Sequence, residues 1–242
     1  MRRTAVIIPA RWGSTRFPGK VLAPLGGRPI VQWCHEAAVK SGIGPVAVAT
    51  DDPKVVRAVE GFGGRAVLTP KALASGTDRV RWAMRRLGWK HPFVVNLQGD
   101  EPLITPAALR SLDRLLRRSG ADVATLVTSL KDPDRLSRPD VVKAVLARDG
   151  RALYFSRSPV PFRRLECPKR WEHIGVYGYK AASLTRFVSL PPSPLERAES
   201  LEQLRALEDG MSIYAAVVPS RGAAIDTAAD LAAAERVVRR MK

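Results

Sequence analysis

The sequence has little cysteine and lacks any long apolar run. Its two cysteines, Cys34 and Cys167, form no CxxC pair. A disulfide-stapled fold is therefore excluded, and both are expected to be ordinary thiols. No apolar run is long enough to span a bilayer. The apolar stretch behind the basic start "MRR" is also too short for a signal peptide. We expect a cytoplasmic protein without a membrane partner.

Acidic residues are scarce relative to basic ones. The chain has 40 Lys plus Arg against 23 Asp plus Glu, a net charge of +17. Such an excess is typical of nucleic-acid binding, but no zinc-finger, RNA-recognition or helix-turn-helix signature accompanies it. Much of it lies in 79–90, 110–118 and 235–242, where apolar residues recur at helical spacing and cations fill the other face. We therefore expect solvated helix faces and no nucleic-acid partner, with a field that steers anionic substrates.

The first 130 residues alternate between apolar, β-branched runs and helical patterns. This alternation is typical of an α/β fold with a mostly parallel sheet covered on both faces. The predicted strands are 4–10, 45–50, 65–69, 91–102 and 122–130, and the predicted helices are 30–42, 53–63, 77–88 and 105–120.

The second half of the chain is richer in strands. Two strands joined by an Asp149-Gly150 turn are predicted in 141–158. Further elements are predicted as a strand at 172–180, a helix at 193–210, a strand at 211–219 and a helix from about Asp226. Since there is no internal repeat and no low-complexity linker, we expect one domain over 1–242 with a smaller β-rich lobe at about 131–190.

The segment "IPARWGSTRFPGK", residues 8–20, follows the first strand directly. Ligands of open α/β sheets bind beyond the carboxyl ends of strands. Glycines let backbone N–H groups approach a phosphate, and Arg11, Arg16 and Lys20 supply charge. It is not a Walker loop, because Ser14 and Val21 stand where that motif requires Gly and Ser or Thr. The segment predicts a polyphosphate cradle, with a plain solvated loop as the alternative.

The segment "SGTDR", residues 75–79, reads first as a helix start. Ser75 or Thr77 caps the helix, and Asp78 lies in its first turn. A capped N-terminus preceded by Gly76 also offers N–H groups to a base or a phosphate. We therefore expect this start to contribute to a nucleotide site.

The segment "NLQGDEP", residues 96–102, ends another predicted strand. The amide of Gln98 has donors and an acceptor, which suits reading a base edge. Asp100 and Glu101 offer the hard oxygen ligands that Mg²⁺ prefers. A simple turn would explain "GDEP" alone, but its combination with the first loop favours a nucleotide site.

With these three segments in their order, the chain resembles the 3-deoxy-manno-octulosonate (KDO) cytidylyltransferases, or CMP-KDO synthetases. The resemblance rests on "IPARWGSTRFPGK", "ATDD" (49–52), "SGTDR", "NLQGDEP", "ALYFSR" (152–157), "HIGVYGY" (173–179), "SPLERAESLEQLR" (193–205) and "IDTAADL" (225–231), in the family's order. It implies a Rossmann-like nucleotidyltransferase fold with a mixed sheet. It also implies an enzyme that couples CTP to KDO, giving CMP-KDO for lipopolysaccharide and pyrophosphate.

The resemblance further implies roles for individual residues. The triphosphate contacts would be Arg11, Ser14, Arg16 and Lys20, and the cytosine contacts Arg79, Gln98 and the loop of Ser75, Gly76 and Thr77. Asp100 and Asp226 match the family's Mg²⁺ ligands. The catalytic set would be Lys20, Arg11, Asp100 and Asp226. The local alternative is that Asp226 is simply a residue at a helix start, beside a Thr227–Asp230 capping box. The two roles are compatible, because Thr227 can cap the helix while Asp226 faces the metal.

The sugar site is implied to come from the second half. Arg157 can form a fork with the KDO carboxylate. The other implied sugar contacts are His173, Tyr177, Glu202 and Gln203. The resemblance also implies a homodimer, with the β-rich lobe as a plausible interface. His35 and His91 are expected to be structural.

Some positions depart from the family pattern. Ala228 and Ala229 replace a usual proline and glutamate, and Trp12 replaces a common tyrosine. None of these is a proposed metal ligand. The alternatives are a cytidylyltransferase for another acidic 2-keto sugar, such as 8-amino-KDO or a sialic-acid-like compound, and a basic nucleic-acid-binding protein on an α/β scaffold.

Overall fold

The computed structural model describes residues 3–13, 17–162, 164–165, 169–219, 222 and 224–240. Ser14, Arg16 and Cys167 therefore lie outside the described residues. The strands are β1 Thr4–Pro9, β2 Pro24–Leu25, β3 Arg28–Pro29, β4 Val46–Thr50, β5 Ala66–Leu68, β6 Phe93–Asn96, β7 Val123–Ser129, β8 Lys143–Leu146, β9 Ala152–Ser156, β10 Trp171–Lys180 and β11 Ile213–Val217. The helices are α1 Ile30–Ser41, α2 Pro53–Gly61, α3 Gly76–Arg86, α4 Pro106–Ser119, α5 Pro133–Ser137, α6 Ala181–Ser189, α7 Pro194–Glu199, α8 Gln203–Glu208 and α9 Ala228–Arg239. None of the helices in these residues combines the length and apolarity needed to cross a bilayer.

The chain divides into two compact units. The first comprises Met1–Arg110 and Gly222–Lys242, and the second Ser111–Arg221. In the first unit, β6, β1, β4 and β5 lie in that order and pair in parallel. Every residue of β1 is buried, as expected for a parallel strand covered on both faces.

The second unit combines parallel and antiparallel pairing. Strand β11 pairs parallel with β7, whose other partner within this unit, β10, is antiparallel. Strands β8 and β9 form the predicted hairpin, and Gly150 in its turn has a φ of +88°. The prediction of an α/β fold with a mostly parallel, mixed sheet is confirmed. The predicted 131–190 lobe falls inside this unit, and its role in sugar binding and dimerisation stays a prediction.

The single helix predicted over 193–210 is wrong. Two short helices, α7 and α8, occupy this range, and Ser200 between them is left-handed with a φ of 51°. The cause lies elsewhere in the sequence: Arg157 Nε donates to the carbonyl of Glu199 (2.6 Å), and Arg157 Nη2 to that of Ser200 (3.2 Å). Both carbonyls accept from the guanidinium at the end of α7, where the helix stops.

Four of these elements were not predicted from the sequence. Helix α6 follows β10 directly, and its N-cap, Lys180, makes no side-chain capping hydrogen bond. The short helix α5 and the two-residue strands β2 and β3 are too brief to show a period. The start of α6 thus lacks the polar cap that marks the starts of α3 and α9.

Helix α9 is anchored to the first half of the first unit. Ala234 and Val238 on α9 pack with Leu25, Ile30 and Ile225 in one buried cluster. Its first turn carries the predicted capping box, in which the Thr227 hydroxyl accepts from the Asp230 N–H and the Asp230 carboxylate accepts from the Thr227 N–H. The segment before α9, which carries Asp226, is therefore fixed in the first unit.

Candidate active site

A cavity of about 280 Å³ opens in the first unit, at the carboxyl ends of β1 and β6. This is where open α/β sheets place their ligands. Its charged and amide-bearing lining residues are Arg11, Lys20, Arg79, Gln98, Asp100 and Asp226. Ser75 and Gly76 also line it, so the segments that the sequence singled out lie together around one cavity.

Lys20 lies between two carboxylates in this cavity. Its ammonium nitrogen is 2.6 Å from Asp100 Oδ2 and 2.9 Å from Asp226 Oδ1. Burial lowers the pKa of Lys20, but the attraction and hydrogen bonds of the two carboxylates outweigh it, so the pKa is raised above 10.5. The ammonium is therefore charged at neutral pH.

The two carboxylates are also the candidates for holding a metal. Among the described residues, no group of three or more His, Cys, Asp or Glu side chains is arranged to bind a metal ion. Mg²⁺, however, is commonly held by one or two carboxylates, with water and substrate phosphates completing its shell. Asp100 and Asp226 already contact a single cation, the Lys20 ammonium. The pair thus fits a phosphate-bound Mg²⁺.

The loop after β1 closes on itself through Trp12 and Gly19. Gly19 N–H donates to the Trp12 carbonyl (3.1 Å), and Gly19 is left-handed with a φ of 70°. A Cβ at this position would lie 2.9 Å from the Trp12 ring. Glycine is therefore required immediately before Lys20, both for the backbone angle and for the ring.

Helix α3 begins at the cavity as the sequence predicted. Ser75 is its N-cap, and its hydroxyl and the Asp78 carboxylate form a capping box. Gly76 starts the helix and lines the cavity. The first turn therefore presents backbone N–H groups near the cavity wall, where an anionic or polar ligand group can accept them.

Gln98 is oriented by a relay of hydrogen bonds through the buried amide of Asn96. Gln98 Nε2 donates to Asn96 Oδ1 (3.1 Å), and Asn96 Nδ2 donates to Thr77 Oγ1 (3.3 Å). Asn96 is fully buried at the end of β6. The Gln98 amide lies beside Gly76, with both Oε1 and Nε2 within 4 Å of where a Cβ on that glycine would stand. Asn96 was quoted in a sequence motif but not recognised as part of the site.

Arg79 is buried, with a side chain 3% exposed. Its guanidinium donates to Asp51 Oδ2 (3.3 Å), to the hydroxyl of Thr69 and to the carbonyl of Pro70 (3.4 Å). Burial lowers its pKa; Asp51 opposes this effect and Arg11 adds to it. Asp51 was missed as a site residue, although the motif "ATDD" contains it.

The predicted sugar residues all lie in the second unit. Tyr177 OH donates to Gln203 Oε1 (3.0 Å), and burial, aided by the charge of Glu202, raises the pKa of the Tyr177 phenol. Gln203 is buried, and its Nε2 has no hydrogen-bond partner within the described part of the chain. His173 Nε2 lies 2.9 Å from Thr125 Oγ1. These residues form a polar cluster inside the unit.

Arg157 is already held by main-chain carbonyls. Besides Glu199 and Ser200, its guanidinium donates to the carbonyl of Pro139 (2.9 Å). A guanidinium has one N–H on Nε and two on each terminal nitrogen. These contacts use one N–H on each nitrogen, and within the described part of the chain one N–H on Nη1 and one on Nη2 have no further partner.

The remaining histidines and Cys34 lie apart from the cavity lining. His35 contacts the Phe62 ring (5.3 Å between centroids) and His91 contacts Trp89 (5.9 Å). Cys34 is fully buried in α1, and burial raises the pKa of its thiol well above the usual value. None of the three therefore enters the chemistry derived below.

The comparisons with known proteins agree with this geometry. The cytidylyltransferase family model matches residues 5–213. The chain is 46% identical over 245 residues to the 3-deoxy-manno-octulosonate cytidylyltransferase of Elusimicrobium minutum (strain Pei191), covering 99% of both chains. It is 50% identical over 234 residues to that of Anaeromyxobacter dehalogenans (strain 2CP-C), covering 96% of each.

A solved structure has the same fold. It is described as CMP:2-keto-3-deoxy-manno-octonic acid synthetase complexed with CTP, and it matches with a TM-score of 0.94 at 38% identity. The match covers 99% of this chain and 100% of that one. The predicted nucleotidyltransferase fold is therefore confirmed, and the chain belongs to the 3-deoxy-manno-octulosonate cytidylyltransferase family.

Proposed function

We propose that this protein transfers CMP from CTP to the anomeric hydroxyl of KDO. The sugar oxygen attacks the α-phosphorus, the bond from that phosphorus to the bridging oxygen breaks, and pyrophosphate leaves. The hydroxyl proton passes to solvent. The observation that carries the proposal is the position of Lys20, Asp100 and Asp226 in one cavity at the strand ends, in a chain of this family.

The triphosphate would lie along the loop after β1. Lys20 and Arg11 both line the cavity, and cations there offset the charge that moves onto pyrophosphate as it leaves. Ser14 and Arg16 are assigned to the same task by resemblance. Because these groups bind and orient phosphate without a covalent intermediate, catalysis is chiefly positioning and electrostatics.

Mg²⁺ would be held by Asp100 and Asp226 together with phosphate oxygens. When bound, it supplies positive charge at the α-phosphate and lowers the pKa of the attacking hydroxyl. The protein's own contribution is to hold the two carboxylates close enough together to contact one cation. Lys20 is the cation that both carboxylates contact in this structure.

The base would occupy the wall made by the start of α3 and Gln98. Polar groups of the Ser75–Thr77 loop, other than the Ser75 N–H that donates to Asp78, and the oriented Gln98 amide are the kind of groups that a pyrimidine edge requires. Arg79 borders the same wall, although its guanidinium is engaged with Asp51 and Thr69. Arg79 would therefore act on the base from a fixed position.

The sugar would be bound by the polar cluster of the second unit. Gln203 Nε2 is a buried donor that a sugar hydroxyl could satisfy. Arg157 retains one N–H on each terminal nitrogen for the KDO carboxylate. His173, Tyr177 and Glu202 complete the assigned set. A close acidic 2-keto sugar is the alternative substrate, and the names of the relatives favour KDO.

Four further properties are proposed by resemblance: a cytoplasmic location, a homodimer, a role in supplying activated KDO for lipopolysaccharide, and the absence of nucleic-acid and membrane partners. The dimer is testable by light scattering after gel filtration. A nucleic-acid function is testable by salt titration, because such binding falls steeply with ionic strength.

The direct test is pyrophosphate release from CTP with Mg²⁺, comparing KDO, 8-amino-KDO and sialic acid, each with and without EDTA. We expect release with KDO that EDTA stops. Release only with another acid sugar would move the pocket assignment and keep the mechanism. No release with any of the three would overturn the proposed function.

A further inference from the structure

A single carboxylate connects two segments of the candidate nucleotide site. Asp51 follows β4, and its Oδ1 accepts from the backbone N–H of Trp12 at 3.0 Å. Its other oxygen, Oδ2, accepts from Arg79 Nη2 at 3.3 Å. The Asp51 side chain is 13% exposed and that of Arg79 is 3% exposed. The pair is thus a largely buried ion pair between the strand end and α3.

Each contact of Asp51 leads toward the cavity. Trp12 holds Gly19 through a backbone hydrogen bond and through its ring, and Gly19 immediately precedes Lys20. Arg79 lines the cavity, and Thr69 and Pro70 hold it from its other side. Asp51 therefore contacts both the loop after β1, through Trp12, and the base wall, through Arg79, and it is not among the described residues that line the cavity.

The neighbouring carboxylate has a different and purely local role. Asp52 is the N-cap of α2, and its Oδ1 accepts from the Lys54 N–H at 2.7 Å. The two adjacent aspartates of "ATDD" are thus separated in function, since the cap is supplied by Asp52 alone. Capping of α2 does not explain the contacts of Asp51.

We infer that Asp51 is a positioning residue for the nucleotide. It holds the Arg79 guanidinium at the base wall, formed by the start of α3 and Gln98, and it fixes the position of that wall relative to the loop that carries Lys20. This inference rests on the proposed function. Its physical basis is that a buried guanidinium needs a carboxylate partner to stay in place. Loss of that partner should weaken the binding of CTP and leave the binding of the sugar unchanged.

The test variant is Asp51→Asn. The new amide keeps an oxygen for the Trp12 N–H and places an NH₂ group against the Arg79 guanidinium, so it breaks the Arg79 contact selectively. We expect the KM for CTP to rise about tenfold or more, because a small displacement of a positioning group commonly costs one to two orders of magnitude. The KM for KDO should stay within about twofold. Asp52→Asn, the same change one residue along, should leave both values unchanged, because asparagine caps helices as well as aspartate does.

A double-variant comparison separates positioning from general stability. If Asp51 acts through Arg79, Asp51→Asn should add less than about twofold to the effect of Arg79→Gln on kcat/KM for CTP. The double variant also removes the uncompensated cation, so it remains usable if Asp51→Asn alone folds poorly. An additive loss, or a KM for CTP in Asp51→Asn equal to that of Asp52→Asn, would overturn the inference.

Calorimetric titration with CTP alone separates this inference from the proposed reaction. Weaker CTP binding by Asp51→Asn, with Asp52→Asn unchanged, would support positioning even if the acceptor sugar proved to be another compound. Equal CTP affinity in the two variants would remove Asp51 from the nucleotide site. A wild-type protein that binds no CTP would end both the inference and the proposed function.

Discussion

The backbone N–H of Ile225 donates to the backbone carbonyl of Asp100 at 2.9 Å. This bond sets the segment before α9 directly beside the end of β6. Asp226 is the next residue, and its own N–H donates to the Asp230 carboxylate at 3.1 Å. The main chain therefore fixes two carboxylates side by side before either binds a cation.

Removing either carboxylate charge should abolish efficient turnover. We expect Asp226→Asn and Asp100→Asn each to lower kcat about a hundredfold or more, as loss of one preorganised electrostatic group typically does. The measurement is pyrophosphate release over a range of Mg²⁺ concentrations. Asp149→Asn, the same change in the exposed hairpin turn, should leave turnover unaltered. Near-normal activity in either site variant would remove that residue from the metal site.

Lys20 should stabilise the fold in a pH-dependent way. Its folded-state pKa is raised above 10.5, so its contribution to the free energy of unfolding is complete below pH 10.5 and is lost as the pH rises through the folded-state value. At pH 8 we expect Lys20→Met to cost about 1–3 kcal/mol, the range for hydrogen bonds to charged groups. Urea denaturation of both proteins at pH 8 and pH 11 measures this. A cost that is equal at both pH values would contradict the ion-pair assignment.

Asn96 should control the preference for CTP over UTP. Its Oδ1 accepts from the Gln98 Nε2, which fixes the end of the amide that carries the oxygen. We expect that oxygen to accept from the amino group that cytosine carries where uracil carries a carbonyl. In Asn96→Leu the Gln98 amide can turn over, and we expect the ratio of kcat/KM for CTP to that for UTP to fall about tenfold.

A second substitution makes this test specific. Glutamate at position 98 has acceptor oxygens on both sides, so adding Gln98→Glu to Asn96→Leu should restore the preference for CTP. Because the readout is a ratio between two nucleotides of equal charge, a general loss of activity cancels. A ratio unchanged in Asn96→Leu would show that Gln98 does not read the exocyclic group.

Arg157→Ala should weaken sugar use and stability together. We expect the KM for KDO to rise far more than the KM for CTP, because one N–H on each terminal nitrogen is available to a carboxylate. Loss of three carbonyl hydrogen bonds should also lower the free energy of unfolding by about 2–4 kcal/mol. Arg138→Ala, which removes an exposed arginine paired with Asp140, is the control for both. Equal losses for both substrates would argue against a carboxylate clamp.

The order of strands and helices was predictable because its signals are local. Buried strands such as β1 are continuous apolar runs, and the N-termini of α3 and α9 carry complete capping boxes. The break between α7 and α8 was not predictable, because the guanidinium that accounts for it lies about forty residues upstream and the helical pattern continues through it.

The site was predictable in its parts but not in its connections. Lys20 and Asp100 each follow a strand, so a pattern that places strand ends at one edge brings them together. Asp226 does not follow any of the four parallel strands of the first unit directly, and the resemblance alone assigned it to the metal. Asp51 and Asn96 were quoted within motifs but missed, because their partners Trp12, Arg79 and Thr77 lie far away in the sequence.

Lys20 and Asp226 meet in space although 206 positions separate them in the chain. During synthesis, the loop after β1 and Asp100 emerge from the ribosome long before the segment that carries Asp226. A nascent protein can therefore possess most of the nucleotide cradle while it lacks the second carboxylate. The proposed metal site gains its second carboxylate only when α9 packs in the first unit, so we expect a chain interrupted before α9 to release no pyrophosphate even if it binds CTP.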